Sequence, residues 1–147
     1  MPTAAKLVAA ILLAALGFVA AGRYVQLMPE GAVAGHLGLI CAGLGAVVGW
    51  LVLGRRAGRG IGAGTSAGLQ AAVVLVASAL IIFSIERMVR RAMAGFYGAD
   101  ILRAVTGVFE NIYEFGARLA DSQLLGILIL GGLIAGLVTE LVNRRWS

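Results

Sequence analysis

Residues 7–22 read Leu-Val-Ala-Ala-Ile-Leu-Leu-Ala-Ala-Leu-Gly-Phe-Val-Ala-Ala-Gly, without one charged side chain, between Lys6 on one flank and Arg23-Tyr24 on the other. A helix needs roughly 20 residues to cross about 30 Å of hydrocarbon. With Lys6 and Arg23 snorkelling toward the head groups, this stretch reaches that length. It predicts a membrane span over about residues 5–26. The rival reading is a secretory signal, with Lys6 as its charged start and Val19-Ala20-Ala21 as its cleavage site.

The rest of the chain has the same character. Of 147 residues, 61% are apolar without counting the 22 glycines, only 13% are charged, and the mean hydropathy is +0.98. Soluble domains hold roughly 45–50% apolar residues with glycine included, and a domain of this length has too much surface to hide the excess from water. Lipid is therefore the solvent for much of the chain. The formal charge is +5, but the arginines flank apolar runs instead of forming a stripe with aromatic partners, which argues against nucleic acid as a partner. A single cysteine, Cys41, excludes a disulfide framework, a Cys-x-x-Cys redox pair and a thiolate metal cluster.

Pro29, in Met28-Pro29-Glu30-Gly31, disfavours helix at the residue before it and predicts a turn. A second span is expected over about residues 32–54, with His36 near its start and Trp50 toward its far end at head-group level. The run Gly54-Arg55-Arg56-Ala57-Gly58-Arg59-Gly60 packs three positive charges and three glycines into a connection that a bilayer interior would not accept. A third span follows over about residues 63–86, carrying Ser66, Gln70, Ser78 and Ser84, and a fourth over about residues 124–143, closed by Arg144-Arg145-Trp146. Near the ends of these two, Glu86 precedes Arg90 and Glu140 precedes Arg144 by four residues, the favoured order for a helical ion pair.

Between the third and fourth spans, Ile101, Leu102, Val105, Val108, Phe109, Ile112, Tyr113 and Leu119 recur at helical spacing, while Arg103, Thr106, Glu110, Asn111, Glu114, Arg118 and Asp121 occupy the other face. This predicts an amphipathic helix over about residues 99–120, lying in the membrane interface, capping the bundle or packing on a partner protein. The fold class is thus all-α: one polytopic membrane domain over residues 1–147, with four transmembrane helices and an amphipathic helix between the third and fourth. Positive charges divide evenly between the two ends. The undiluted Arg55-Arg56-Arg59 loop is read as cytoplasmic, which places both termini inside and the amphipathic helix in the periplasm.

Small residues spaced four apart (Gly45 and Gly49, Gly64 and Gly68, Gly132 and Gly136) let helix backbones approach closely. They are read as packing faces within the chain, with self-association into a homo-oligomer as the alternative. His36 stands alone of its kind and is expected in an interfacial or hydrogen-bonded role rather than a proton relay. Gln70 is an intramembrane amide expected to hydrogen-bond between helices, and Cys41 is expected to behave as a small buried hydrophobe. Arg55, Arg56 and Arg59 could contact an anion or lipid head groups, although flanking arginines also serve as ordinary topology signals. Every Asp and Glu falls in a loop or at a span end, which disfavours a self-sufficient proton-coupled exporter. No catalytic centre, cofactor site or metal site is indicated.

Several strings taken together resemble the TrgA family: Met1-Pro2-Thr3-Ala4-Ala5-Lys6-Leu7-Val8-Ala9-Ala10, Met28-Pro29-Glu30-Gly31, Gly49-Trp50 with the glycine and arginine run 54–60, Glu86-Arg87-Met88-Val89-Arg90, and Arg144-Arg145-Trp146. The resemblance implies a small inner-membrane protein associated with tellurite resistance in Rhodobacter-like alphaproteobacteria, with no catalytic residues to carry over. Beside it, the residues themselves argue against a tellurite-reducing enzyme, which would want reactive thiols or a cofactor site. The expectation is a non-enzymatic accessory or membrane-stress protein. An oligomeric oxyanion channel or exporter, and a structural subunit docking through the amphipathic helix, are the alternatives.

Overall fold

Four helices are long and apolar enough to cross a membrane, each with a mean hydropathy of 2.2 or 2.3 over its best window. The computed structural model describes residues 4–27, 36–95 and 100–146. The turn expected at Met28-Pro29-Glu30-Gly31 and the expected start of the second span at 32–35 lie outside these residues. Helix α1 is Ala4–Gln26, α2 is Leu37–Arg56, α3 is Ile61–Met93, α4 is Ile101–Leu119 and α5 is Ser122–Trp146. The chain is an all-α polytopic architecture, with α1, α2, α3 and α5 as the apolar helices and α4 as the amphipathic one.

Glycine sets how these helices pack. A Cβ on Gly45 or Gly49 would run into the backbone of Leu13 and Ala9, and one on Gly17 into the carbonyl of Cys41. Helices α1 and α2 therefore lie antiparallel, backbone against backbone. The pair α3 and α5 is built the same way: a Cβ on Gly68 would sit 2.8 Å from the Gly136 Cα, and one on Gly132 would sit 3.0 Å from the Gly68 carbonyl oxygen. In lipid the apolar side chains gain little by leaving their surroundings, so dispersion contacts between closely approaching backbones hold such pairs together. All six glycines singled out from their spacing face another helix of the same chain, and Gly17 joins them.

The two pairs close on one another through α1 and α5, with Leu13, Leu16, Leu53, Ala67, Ala71, Leu75 and Ala135 in one buried cluster. A second cluster, Tyr24, Phe115, Leu124 and Leu128, lies toward the opposite end of the bundle.

Two features depart from regular spans. In α2, the five residues Gly49–Leu53 form a π-helical turn, with the Gly54 amide bonded to the Gly49 carbonyl. This wide turn keeps Leu53 and Gly54 on the buried side and leaves Arg55 and Arg56 exposed. In α3, the helix does not stop at the last apolar residues near Ile85 but runs on to Met93, and α4 packs on this extension. Asp100 caps α4 by accepting a hydrogen bond from the Leu102 amide at 3.1 Å.

Candidate functional site

The two ends of the bundle carry different polar arrangements. At the first end, the loop joining α2 to α3 turns through Gly58 and Gly60, whose φ angles of 95° and 108° suit glycine. It leaves two backbone N–H groups pointing at α5. Glu140 answers both: Gly58 N–H donates to Oε2 at 2.8 Å and Gly60 N–H to Oε1 at 3.1 Å. The carboxylate is only 2% exposed and has Arg144 at 3.5 Å. Because Gly60 is the residue before the first turn of α3, the negative charge sits at a helix N-terminus, where the macrodipole favours it. Glu140 lies within α5 as a buried clamp across the bundle, a function its four-residue spacing from Arg144 does not announce.

Arg55, Arg56 and Arg59 are exposed around this clamp. The structure brings Arg56 together with Gln70: the guanidinium Nη1 donates to the amide Oε1 of Gln70, on the outer surface of the bundle. His36 is exposed at the start of α2 and makes no side-chain cap bond. Cys41 is buried, as the apolar character of its helix predicts.

At the second end, α3 and α5 no longer meet through glycine. Val76, Leu80 and Phe83 on one and Leu124 and Leu128 on the other stand between the helices, and they line a cavity of about 360 Å³ among α1, α2, α3, α4 and α5. Its inner walls are apolar, with Gly17, Ala20, Cys41, Leu75, Val76 and Ala79 among them, while Glu86, Arg87, Arg90 and Arg118 line its polar end. A second groove of about 270 Å³ shares Val76, Leu80, Leu119 and Leu128 with the cavity and reaches the outer surface at Leu69, Val73, Leu125 and Ile129.

The polar end holds two sets of ion pairs. Arg87 binds Glu114 of α4 at 3.2 Å, and Arg118 lies 3.5 Å from the same carboxylate. Arg90 binds Glu86 at 2.5 Å. The Arg87 guanidinium also lies 5.5 Å from the centre of the Phe115 ring, which meets the Tyr24 ring edge to face at 6.0 Å. The Tyr24 hydroxyl is buried against the cavity, with Arg118 acting on it from close by, yet it makes no satisfactory hydrogen bond.

Helix α4 uses a face that its hydropathy does not single out. Gly107, Asn111 and Phe115 are its buried residues, whereas Ile101, Leu102, Phe109 and Tyr113 of the apolar stripe are exposed by two thirds or more. The packed face is turned by about a third of a turn from the stripe at 3.6 residues per turn.

Among the described residues, no group of three or more His, Cys, Asp or Glu could hold a metal ion. Comparison with protein-family models, with curated proteins and with solved structures finds no match.

Proposed function

We propose that this chain is a non-enzymatic accessory protein of the bacterial inner membrane, of the TrgA kind associated with tellurite resistance, acting on the bilayer or on a partner membrane protein through α4. The observation that carries this reading is the exposed part of α4's apolar stripe. A helix held to its own bundle by Gly107, Asn111 and Phe115 leaves Ile101, Leu102, Phe109 and Tyr113 available to something else, and an amphipathic helix beside a membrane uses such a stripe on the interface or on a protein. With both termini cytoplasmic, α4 stands on the periplasmic side. Deletion of the gene is expected to sensitise cells to tellurite while the purified protein turns over no tellurite. Co-purification of a partner in mild detergent, abolished by Val105→Asp with Phe109→Asp, separates docking on a protein from action on lipid. Unchanged tellurite tolerance on deletion would sink the reading.

A second reading, an oligomeric oxyanion channel or exporter, draws on Gln70, an exposed amide within the third apolar helix that Arg56 bonds from the helix end, because polar groups at lipid depth favour burial against another helix. Oxyanion flux into liposomes, lost when Arg55, Arg56 and Arg59 become Gln, would select it.

A further inference from the structure

We propose that the cavity at the α4 end binds one anionic membrane phospholipid, its phosphate held by Arg87, Arg90 and Arg118 and one of its acyl chains lying between α3 and α5.

The shape fits an amphiphile. At about 360 Å³ the cavity falls within the roughly 300–1,000 Å³ of small-molecule sites, and its two halves differ in chemistry. The inner half offers Cys41, Leu75, Val76 and Ala79 and nothing a polar ligand could use, while the other end carries three guanidinium groups. An inorganic anion would leave the inner half empty, and a hydrocarbon would leave the excess positive charge of the polar end unanswered.

Charge selects the head group. Arg87 and Arg118 share the Glu114 carboxylate and Arg90 pairs with Glu86, so three guanidinium groups face two carboxylates at this end of the cavity. One positive charge is left over. A phosphodiester carries one negative charge, and guanidinium groups bind phosphate oxygens in a fork geometry that a zwitterionic lipid would answer only with an ammonium group brought alongside. The Tyr24 hydroxyl, on a residue that is 9% exposed, lines the same cavity without a satisfactory hydrogen bond and supplies a further donor.

Position supplies the route. The apolar run of α3 ends at Ile85, so Glu86, Arg87 and Arg90 stand at head-group height. The neighbouring groove shares four wall residues with the cavity and reaches the lipid-facing surface between α3 and α5. A lipid can therefore slide in sideways, without lifting its chains out of the bilayer.

The test uses the full chain purified in a mild detergent and titrated with dioleoyl phosphatidylglycerol, dioleoyl phosphatidylcholine or inorganic phosphate, with bound lipid read by native mass spectrometry. One phosphatidylglycerol per chain is expected, held at least tenfold more tightly than phosphatidylcholine, with no saturable binding of phosphate alone. Arg87→Gln with Arg118→Gln should weaken phosphatidylglycerol at least tenfold. Because Arg87 and Arg118 also hold α4, Ala79→Phe serves as the second variant: it fills the apolar half, leaves the ion pairs in place and should abolish lipid retention in a monodisperse protein. Equal retention of the two lipids, retention unaffected by Ala79→Phe, or binding of phosphate as tight as that of the lipid would each overturn the proposal. Since the readout is binding, it is independent of any tellurite phenotype.

Discussion

The two ends of this bundle are made from the same helices by opposite means. At the loop end, Gly64, Gly68, Gly132 and Gly136 bring α3 and α5 into backbone contact, and the Glu140 carboxylate ties down the connecting loop. At the α4 end, the same two helices carry Val76, Leu80, Phe83, Leu124 and Leu128, meet through these large side chains and line a cavity rimmed by arginine. One end is closed by small residues and the other is lined by large ones. In a membrane, where burial away from water drives little once the helices are inserted, the size of the residues at a crossing decides whether it becomes a joint or a pocket.

The sharpest way to break this contrast is to enlarge a glycine at the closed end. Gly68→Leu places its side chain into the Gly132 and Gly136 backbone, and overpacking of this kind costs about 3 kcal/mol. Loss of the monodisperse detergent-solubilised protein, or a large fall in its melting temperature, is the expected outcome; an unchanged melt would show that the joint is not tight. Next in size is Glu140→Ala, which strips the acceptor from two loop amides. A lost charge-assisted bond to a buried group costs about 2 kcal/mol, and the loop should open to trypsin at Arg55, Arg56 and Arg59 well below the melting temperature. Equal trypsin resistance in the variant would remove Glu140 from its clamp.

The open end should respond the other way. Ala79→Leu, measured in lipid-free detergent, adds carbon atoms where the cavity has room and is expected to raise stability by up to about 1 kcal/mol through dispersion contacts. A loss comparable to that of Gly68→Leu would erase the distinction between the ends. The smallest effect belongs to the outer stripe of α4. Val105→Asp with Phe109→Asp should change bundle stability by no more than about 0.5 kcal/mol, since both are surface positions. The same pair should abolish whatever association α4 makes with vesicles or a partner, read by co-sedimentation and co-purification.

The membrane architecture is legible in the sequence because hydropathy is a local property: the helix around residues 7–22 is long and apolar enough to span whatever surrounds it. The helical period of 101–119 likewise announces α4. What the period cannot announce is which face α4 buries, because that depends on Arg87 of α3 and Tyr24 of α1, against which its Phe115 packs, and not on its own apolar stripe. Glu140 shows the same limit. Its pairing with Arg144 is four residues away and visible, while its stronger bonds go to amides 80 and 82 residues distant. Gly17 has no glycine four residues away to mark it, yet packs as closely as Gly45. The cavity is the hardest to foresee, being the space five helices leave between them, and its arginines read along the chain as ordinary flanking charge.

Gly45, Gly49 and Gly54 contact α1 in succession, at Leu13, Ala9 and Lys6, although the last interval is five residues rather than four. The π-helical turn absorbs that spare residue, so the row continues straight along its neighbour. A chain lacking Leu51 would restore an even spacing of four, with regular helix throughout and the same small-residue face toward α1. Length at this point is therefore slack: a one-residue deletion inside a transmembrane helix, ordinarily a rotation of everything downstream by about 100°, would here leave the arginine loop where it stands.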